Sequence, residues 1–588
     1  MSRYLRGATN LRLFNTRRLA SLLGLAAVIA LTVLTINWLA GWVQRDAVYT
    51  FDSDEGQHAY NALRVSAYLR DGDLSGALQD TLRQSFYPPV HAWLLGAALL
   101  AVNATRTNVR LFSLALYALD VLLLCALGRW LARNTRYPWL AGGIASLLAL
   151  ASPPLWVLGS LVYLETTGVM LVLVTFWGYW QGIAGHRWGW LVAGLGIVAA
   201  ALTKYPYGLF LMIPLAAATA THTLRIEHRS LQGWNALVER LVMLALPSIV
   251  VALAWVASPA TRGGLADYIA ATEELARAAQ PSFIAHLVFY LKSVWLQFSP
   301  SALISAGLLT ALAASLASWR DHQLWPLWAF FIFHFASLLG HGDHSPRYLI
   351  TAMPALWLMG GAWAAHAADA WPRWIASLPP GVKSAARIAA WAAIIALMVT
   401  SVLGLAQRVT LYPTLYMLSL ETDTRAEDLY RWAAEQIPSG PASIGLVNDW
   451  DQMSGPALGW ELATRRAPDA APRRADLVTV WEMHRLPDPM PETIGALRDQ
   501  MNARGLNTVV AYTAPGVGIK RLQGTLAILG DKTRLVGEHD FPLRWYWPDK
   551  IDNRLYDGES LDEAQLQTAT DQLGTDRSLT VHIYTYTP

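Results

Sequence analysis

The chain has 588 residues, 54% of them hydrophobic and only 15% charged, with 27 tryptophans and a formal net charge of +3. A soluble domain carries about 25% charged residues, so the composition excludes an ordinary soluble globular protein, and so small a net charge gives no case for a nucleic-acid partner. A single cysteine, Cys125, excludes an intramolecular disulfide framework.

The first 18 residues carry Arg3, Arg6, Arg12, Arg17 and Arg18 and no acid, and the apolar run 19–43 follows. That run is too long for a signal-peptide core and lacks a small-residue cleavage site, so it reads as an uncleaved transmembrane helix with a cytoplasmic N-terminus. Trp38 and Trp42 lie at its far end, where an aromatic belt is expected. The segment YTFDSDEGQHAY, residues 49–60, then places Asp52, Asp54 and Glu55 directly outside a greasy segment. Two readings fit: a solvated face beside the membrane, or a catalytic base held at its surface. Glu55 also suits a helix N-terminus, where an acid meets the positive end of the dipole. His58 lies one helical turn from Asp54 and shares its face.

Further spans are expected at 110–131, 137–152, 165–182, 188–203, 206–222, 238–257, 299–317, 324–340, 348–367 and 387–406, about eleven with the first. Residues 89–102 are too few to cross and read as an interfacial or re-entrant helix. Charge supports that choice. With this piece kept out of the count, Arg129, Arg133, Arg136, Arg187, Arg225, Arg229, Arg320, Arg373 and Lys383 all fall in the cytoplasm. The outer face then gathers the loop 44–109, Glu165, Lys204, the loop 258–285 and the turn HGDHSPRY at 341–348. Ionisable residues near the membrane interior are costly and mark a site by default.

After residue 409 the character changes. Residues 410–588 alternate strand-like runs at 442–447, 476–480, 508–512 and 579–586 with helical patterns at 425–436, 492–503 and 561–573. That alternation predicts a small soluble α/β domain outside the membrane, following a transmembrane domain at 1–409. Its Gly-rich turn PGVG, 515–518, lacks the spacing of a nucleotide-binding loop.

The acid pair after the first span, LRDGD at 69–73, YPPVHAWLLG at 87–96, RLFSLALY at 110–117, LVYLETT at 161–167, LTKYPYGL at 202–209 and PRYLITAMP at 346–354 come in one order. In that order they resemble the GT-C superfamily, most closely its protein O-mannosyltransferase and lipid A aminoarabinose-transferase branches. The resemblance covers about the first 400 residues. It implies a polytopic α-helical enzyme of the bacterial inner membrane. Such an enzyme moves a sugar from a polyprenyl-phosphate carrier to a protein, lipid or polysaccharide acceptor at the outer face, with inversion.

The resemblance implies Asp54 as general base and sets Lys204 near the carrier phosphate. Glu165, expected to be catalytic with Asp54 and Glu55, stands where the family often has Asp. Glu55 is expected to orient acceptor or metal. Arg110, Tyr205, Arg347 and Tyr348 are expected to bind substrate, since Arg suits bidentate phosphate contact. His58, Asp343 and His344 offer ligands for a divalent metal, and nothing in the sequence shows metal dependence. The tyrosine and prolines at 87–89 read as structural, because Pro-Pro stops one helix and primes the next. Two other classes compete: a transporter or flippase of lipid-linked saccharides, and an O-antigen-ligase-like enzyme. A transporter is expected to show internal repeats and midplane charges, whereas these acids sit in loops.

Overall fold

The computed structural model describes residues 2–45, 51, 53–83, 86–226, 231–279, 283–317, 323–340, 345–419, 426–437, 442–448, 453–467, 471–482, 502–514, 518–543 and 577–587. Up to residue 419 the described chain is helical: α1 (Ser2–Arg45), α2 (Ser53–Arg70), α3 (Leu74–Arg83), α4 (Val90–Ala98), α5 (Arg106–Leu131), α6 (Pro138–Leu150) and α7 (Pro153–Ser160) open it. Next come α8 (Leu164–Ile183), α9 (Arg187–Ala201), α10 (Tyr205–Ile226), α11 (Leu231–Ala257), α12 (Pro259–Ala279) and α13 (Phe283–Leu296). The bundle closes with α14 (Ala302–Ala317), α15 (Trp325–Leu338), a 3-10 turn (Pro346–Leu349), α16 (Met353–Ser377) and α17 (Pro380–Ser419).

Five segments among the described residues are long and apolar enough to cross a bilayer unaided: Leu22–Arg45, Arg106–Leu131, Tyr205–Arg225, Gly233–Ala257 and Pro380–Val409. The pair α6 and α7 makes a sixth, bent by 66° where Pro153 and Pro154 cannot continue the preceding hydrogen-bond ladder. The remaining five expected spans differ from a simple 20-residue greasy rod. Helices α9, α14 and α15 have 15, 16 and 14 residues, and α8 opens on Glu165, Thr166 and Thr167. Helix α16 carries His366, Asp369 and Arg373 near its end. Helix α4 has nine residues, which is about 14 Å and too short to cross. The outer segment expected as a loop at 258–285 instead contains the 21-residue α12.

Close helix approach is built from small residues, as membrane packing favours. A Cβ at Gly142 of α6 would lie 2.3 Å from the Cys125 carbonyl oxygen of α5, and one at Gly361 of α16 2.3 Å from the Ala141 carbonyl oxygen. Helix α6 is thus wedged between α5 and α16, and Trp156, Trp180 and Trp357 are among the largest fully buried side chains of the bundle.

The C-terminal part forms its own sheet. Helix α17 runs ten residues past the expected boundary at 409, and the domain's first described element is α18 (Ala426–Gln436). Then come β1 (Ala442–Val447), α19 (Gly455–Arg466), β2 (Val478–Glu482), β3 (Thr508–Thr513), a helix at Ile519–Leu529, β4 (Thr533–Leu543) and β5 (Arg577–Tyr586). The order is β2-β1-β3-β5-β4, with β2, β1 and β3 parallel and β5 antiparallel to both its neighbours. The period of two divides β3 between the faces. Val510 and Tyr512 pack with α18 and α19, and Val509 and Ala511 with the helix Ile519–Leu529. Strand β4 was not foreseen: it is an edge strand, mostly exposed, with Pro542 and a register shift at Leu535 and Gly537. The expected helices at 492–503 and 561–573 lie almost wholly outside the described residues, as do 515–517 of the Gly-rich turn.

Candidate active site

Five pieces of chain meet at one end of the bundle: the start of α2, the loop before α4, the turn into α8, the turn into α10 and the 3-10 turn before α16. They bring Asp54, Arg347, Lys204 and Glu165 into one cluster. Arg347 Nη1 donates to Asp54 Oδ2 at 2.8 Å, and the Tyr87 hydroxyl donates to Asp54 Oδ1 at 2.9 Å. The Asp54 and Arg347 side chains keep 27% and 28% of their surface exposed, so the pair remains open on one side. Lys204 Nζ lies 3.7 Å from Glu165 Oε1. It also sits 4.8 Å over the Tyr348 ring and 5.6 Å over the Tyr207 ring. The Arg347 guanidinium lies 5.1 Å over Tyr348 and 5.7 Å over Tyr163. Two cations and two carboxylates thus share an aromatic cradle.

Burial alone would raise the Asp54 carboxyl, but the charges of Arg347 and His58 and the bonds from Arg347 and Tyr87 outweigh it and hold the group at about 2. Burial also lowers His58, to about 4, with Asp54 opposing the shift and Lys204 and Arg347 adding to it. The Tyr87 phenol is raised, first by burial and then by Asp54. At neutral pH the cluster is therefore a carboxylate beside an uncharged imidazole and an intact phenol.

His58 is buried, with its ring 4.8 Å from Tyr87 and 5.6 Å from His91, edge to face in both cases. His91 shares a hydrogen bond of 2.8 Å with Thr167 on α8, and burial lowers it to about 3. Among the described residues no three His, Cys, Asp or Glu side chains converge on a point. Asp343 and His344 lie outside the described residues, as does Asp52.

Glu55 and Arg110 depart from expectation. Their side chains are 1% and 0% exposed and bind each other bidentately: Arg110 Nε donates to Oε1 at 3.1 Å and Nη2 to Oε2 at 2.8 Å. The Val162 backbone amide donates to Oε1 at 2.9 Å. These two residues were expected to orient or bind substrate; in the structure they bind each other and join α2 to α5 and to the turn before α8. The cause is helical geometry, since neighbours on a helix point about 100° apart: Asp54 faces the cleft and Glu55 the core. Tyr205 also differs, being engaged with the neighbouring helices: its hydroxyl accepts from Trp255 Nε1 at 3.1 Å and its ring meets Tyr268 at 5.4 Å.

Sequence reasoning missed Tyr87 as a partner of Asp54, because the adjacent prolines gave a sufficient structural reason for the stretch. It also passed over His91 and His334. His334 Nε2 shares a 3.0 Å hydrogen bond with the Tyr348 carbonyl and so steadies the 3-10 turn that carries Arg347. Three buried polar atoms facing this region have no hydrogen-bond partner among the described residues: Glu165 Oε2, the Tyr207 hydroxyl and Thr351 Oγ1. A Cβ at Gly168 would lie 2.6 Å from the Tyr207 ring and 2.9 Å from Thr351, so these elements meet at that glycine.

Two solved structures of ArnT from Cupriavidus metallidurans share this architecture. The one bound to undecaprenyl phosphate has 16% identity and a TM-score of 0.52, covering 95% of this chain and 97% of its own. The apo structure has 18% identity and a TM-score of 0.50, covering 86% of this chain and 96% of its own. At this identity the likeness establishes the fold: the chain has the GT-C architecture, a polytopic helical bundle followed by a C-terminal α/β domain. No family model and no curated protein matches the chain.

The clamp and the open pair differ in what their loss costs. Glu55→Gln leaves the Arg110 guanidinium buried and uncompensated, which costs about 3–5 kcal/mol. Asp54→Asn alters a pair that solvent already reaches, so its thermal midpoint stays close to that of the parent. Thermal unfolding of the two purified variants checks this; equal midpoints refute the assignment of Glu55 as the clamp.

Proposed function

We propose that the chain is a membrane glycosyltransferase that moves a sugar from a polyprenyl-phosphate carrier to an acceptor hydroxyl at the outer face of the bacterial inner membrane. The observation that carries this reading is the Asp54–Arg347 pair, flanked by Lys204, on a fold shared with a protein solved with undecaprenyl phosphate bound.

The chemistry needs a proton acceptor and a home for growing negative charge. An acceptor hydroxyl is a weak nucleophile near neutral pH, so a base within hydrogen-bond reach must take its proton as it attacks. In the proposed step the acceptor oxygen bonds to the anomeric carbon from the face opposite the phosphate. The carbon–oxygen bond to the phosphate breaks, and the carrier phosphate leaves with that electron pair. Asp54 takes the acceptor proton. Arg347 and Lys204 meet the charge growing on the phosphate, which matters more in the transition state than in the bound ground state. One displacement of this kind inverts the anomeric centre.

In the free site a carboxylate held at about 2 is a poor base, and the cause suggests how it is activated. Arg347 neutralises Asp54 until a donor phosphate competes for the same guanidinium. When Arg347 turns to the phosphate, Asp54 loses its counter-ion and its affinity for a proton rises. The donor thereby arms the base that its own transfer requires. Glu165, whose second oxygen lacks a hydrogen-bond partner among the described residues, holds Lys204 beside the same phosphate.

Purified protein given a synthetic polyprenyl-phosphate sugar should form product of inverted anomeric configuration, read by NMR. Asp54→Asn should lower kcat on the order of a hundredfold or more. Lys204→Met and Arg347→Gln should each cost on the order of a hundredfold. Retention of configuration, or full activity in Asp54→Asn, refutes the reading.

The pH dependence has a definite sign. Transfer needs ionised Asp54, so rate rises with pH through its pKa and then levels. The limb in kcat/KM reports the free site and should lie near the depressed value of about 2. The limb in kcat reports the donor complex and should move up toward the ordinary carboxylate value of about 3.9. A His58→Gln background removes the imidazole that titrates at about 4 and with it one of the charges that lower Asp54, so the free-site limb moves up there and the two limbs are compared with each other. A kcat limb at or below the kcat/KM limb contradicts the activation step.

A further inference from the structure

We propose that the C-terminal domain is a positioning element for the candidate active site, acting through Tyr60 on α2 and Gly459 on α19. Its kinetic consequence rests on the function proposed above; its structural consequence does not.

Three sets of contacts converge on the residues that hold Asp54. The first is backbone-close packing. A Cβ at Gly56 would lie 2.9 Å from the Ala457 backbone nitrogen, and a Cβ at Gly459 would lie 2.6 Å from the Tyr60 ring. Helix α19 therefore seats directly on the first two turns of α2, backbone against backbone at Gly56 and backbone against the Tyr60 ring at Gly459. The Tyr60 hydroxyl then crosses into the sheet of the other domain. It accepts from the Val478 amide at 2.9 Å and donates to the Val478 carbonyl, satisfying both backbone groups at the start of β2.

The second set is an aromatic and cationic stack. Trp460 of α19 meets Phe51 edge to face at 5.2 Å, and the Arg110 guanidinium lies 5.3 Å over the Phe51 ring. Arg110 is the residue that clamps Glu55, next to Asp54. Phe51 is fully buried, so this stack has no room to slide.

The third set is a charge network one turn away on α5, with Arg106 and Glu461 largely buried and Glu427 at its exposed edge. Arg106 Nε donates to Glu461 Oε1 at 2.8 Å, and its Nη2 lies 2.7 Å from Glu461 Oε2 and 2.8 Å from Glu427 Oε2. Arg465 joins both carboxylates. The domain thus grips α2 and α5, the two helices whose Glu55–Arg110 bond sets the orientation of Asp54. The exposed pairs Arg474–Asp73 and Arg473–Asp71 also cross the boundary, but solvent-exposed pairs hold little. The grip is at α19.

The test uses the purified full chain. Gly459→Val drives two methyl groups against the Tyr60 ring from the far domain, and Tyr60→Phe keeps the ring while removing both bonds to Val478. Amide hydrogen exchange over residues 53–63 should speed up roughly tenfold in Gly459→Val, with α5 and the sheet protected as before. In transfer assays kcat should fall roughly tenfold while the donor KM stays within about twofold, because the base is misplaced and the phosphate cations are not. Tyr60→Leu in the Gly459→Val background makes room for the new methyls and should recover most of the loss, a coupling that independent sites do not show. Tyr60→Phe should move exchange and kcat the same way by a smaller amount, which keeps the test decisive if Gly459→Val fails to fold. Unchanged exchange and kcat, or a lower thermal midpoint with kcat intact, overturns the proposal. Faster exchange in a protein whose parent transfers no sugar leaves the positioning role standing and removes the proposed function instead.

Discussion

The bond between Glu55 and Arg110 is the constraint on which the site depends. Two oppositely charged groups taken almost completely out of water persist only when their geometry is excellent and their remaining hydrogen-bonding groups are met. Here a bidentate contact and the Val162 amide meet them. Three chain segments distant in sequence are thereby fixed at one point: the start of α2, the second turn of α5 and the turn that leads to Glu165. Because Glu55 faces inward, its neighbour Asp54 must face the cleft. One member of the acid pair builds the site, and the other is left free for chemistry.

What faces Asp54 is a balance of charge that a substrate can disturb. Arg347 serves Asp54 in the free protein, and Lys204 leans on Glu165 at a distance too long for a strong hydrogen bond. Neither cation is locked as Arg110 is. A phosphate arriving between them gains two partners, and each carboxylate loses part of one. The aromatic rings of Tyr163, Tyr207 and Tyr348 line the cations without neutralising them, which keeps their charge available. The proposed transfer is the use of that balance by a donor that brings its own anion.

The broad architecture was legible in the sequence because hydropathy and strand alternation are local properties. The run ASIGLV coincides with β1, and the strand-like runs near 476–480, 508–512 and 579–586 coincide with β2, β3 and β5 to within a few residues. The order of acids and cations along the chain likewise pointed to Asp54, Lys204 and Arg347, which the fold brings together. Other features depend on partners that no local pattern names. The mutual burial of Glu55 and Arg110 follows from the packing of α2 on α5. Tyr87 meets Asp54 only because the chain turns at Pro88 and Pro89. Helix α19 was not foreseen in a stretch that holds Pro456 and two glycines, yet one of these, Gly459, together with Gly56 of α2, is what lets the two helices approach. Glu165 at the start of α8 and the polar end of α16 set these two expected spans apart from the six segments that are long and apolar enough to cross by themselves.

The central claim is that Asp54 and a carrier phosphate compete for Arg347, and equilibrium binding of polyprenyl phosphate without a sugar tests it most directly. If the competition is real, Asp54→Asn frees the guanidinium and binds the lipid phosphate more tightly than the parent protein, while Arg347→Gln binds it more weakly. An Asp54→Asn variant that binds the lipid phosphate no better than the parent contradicts the account.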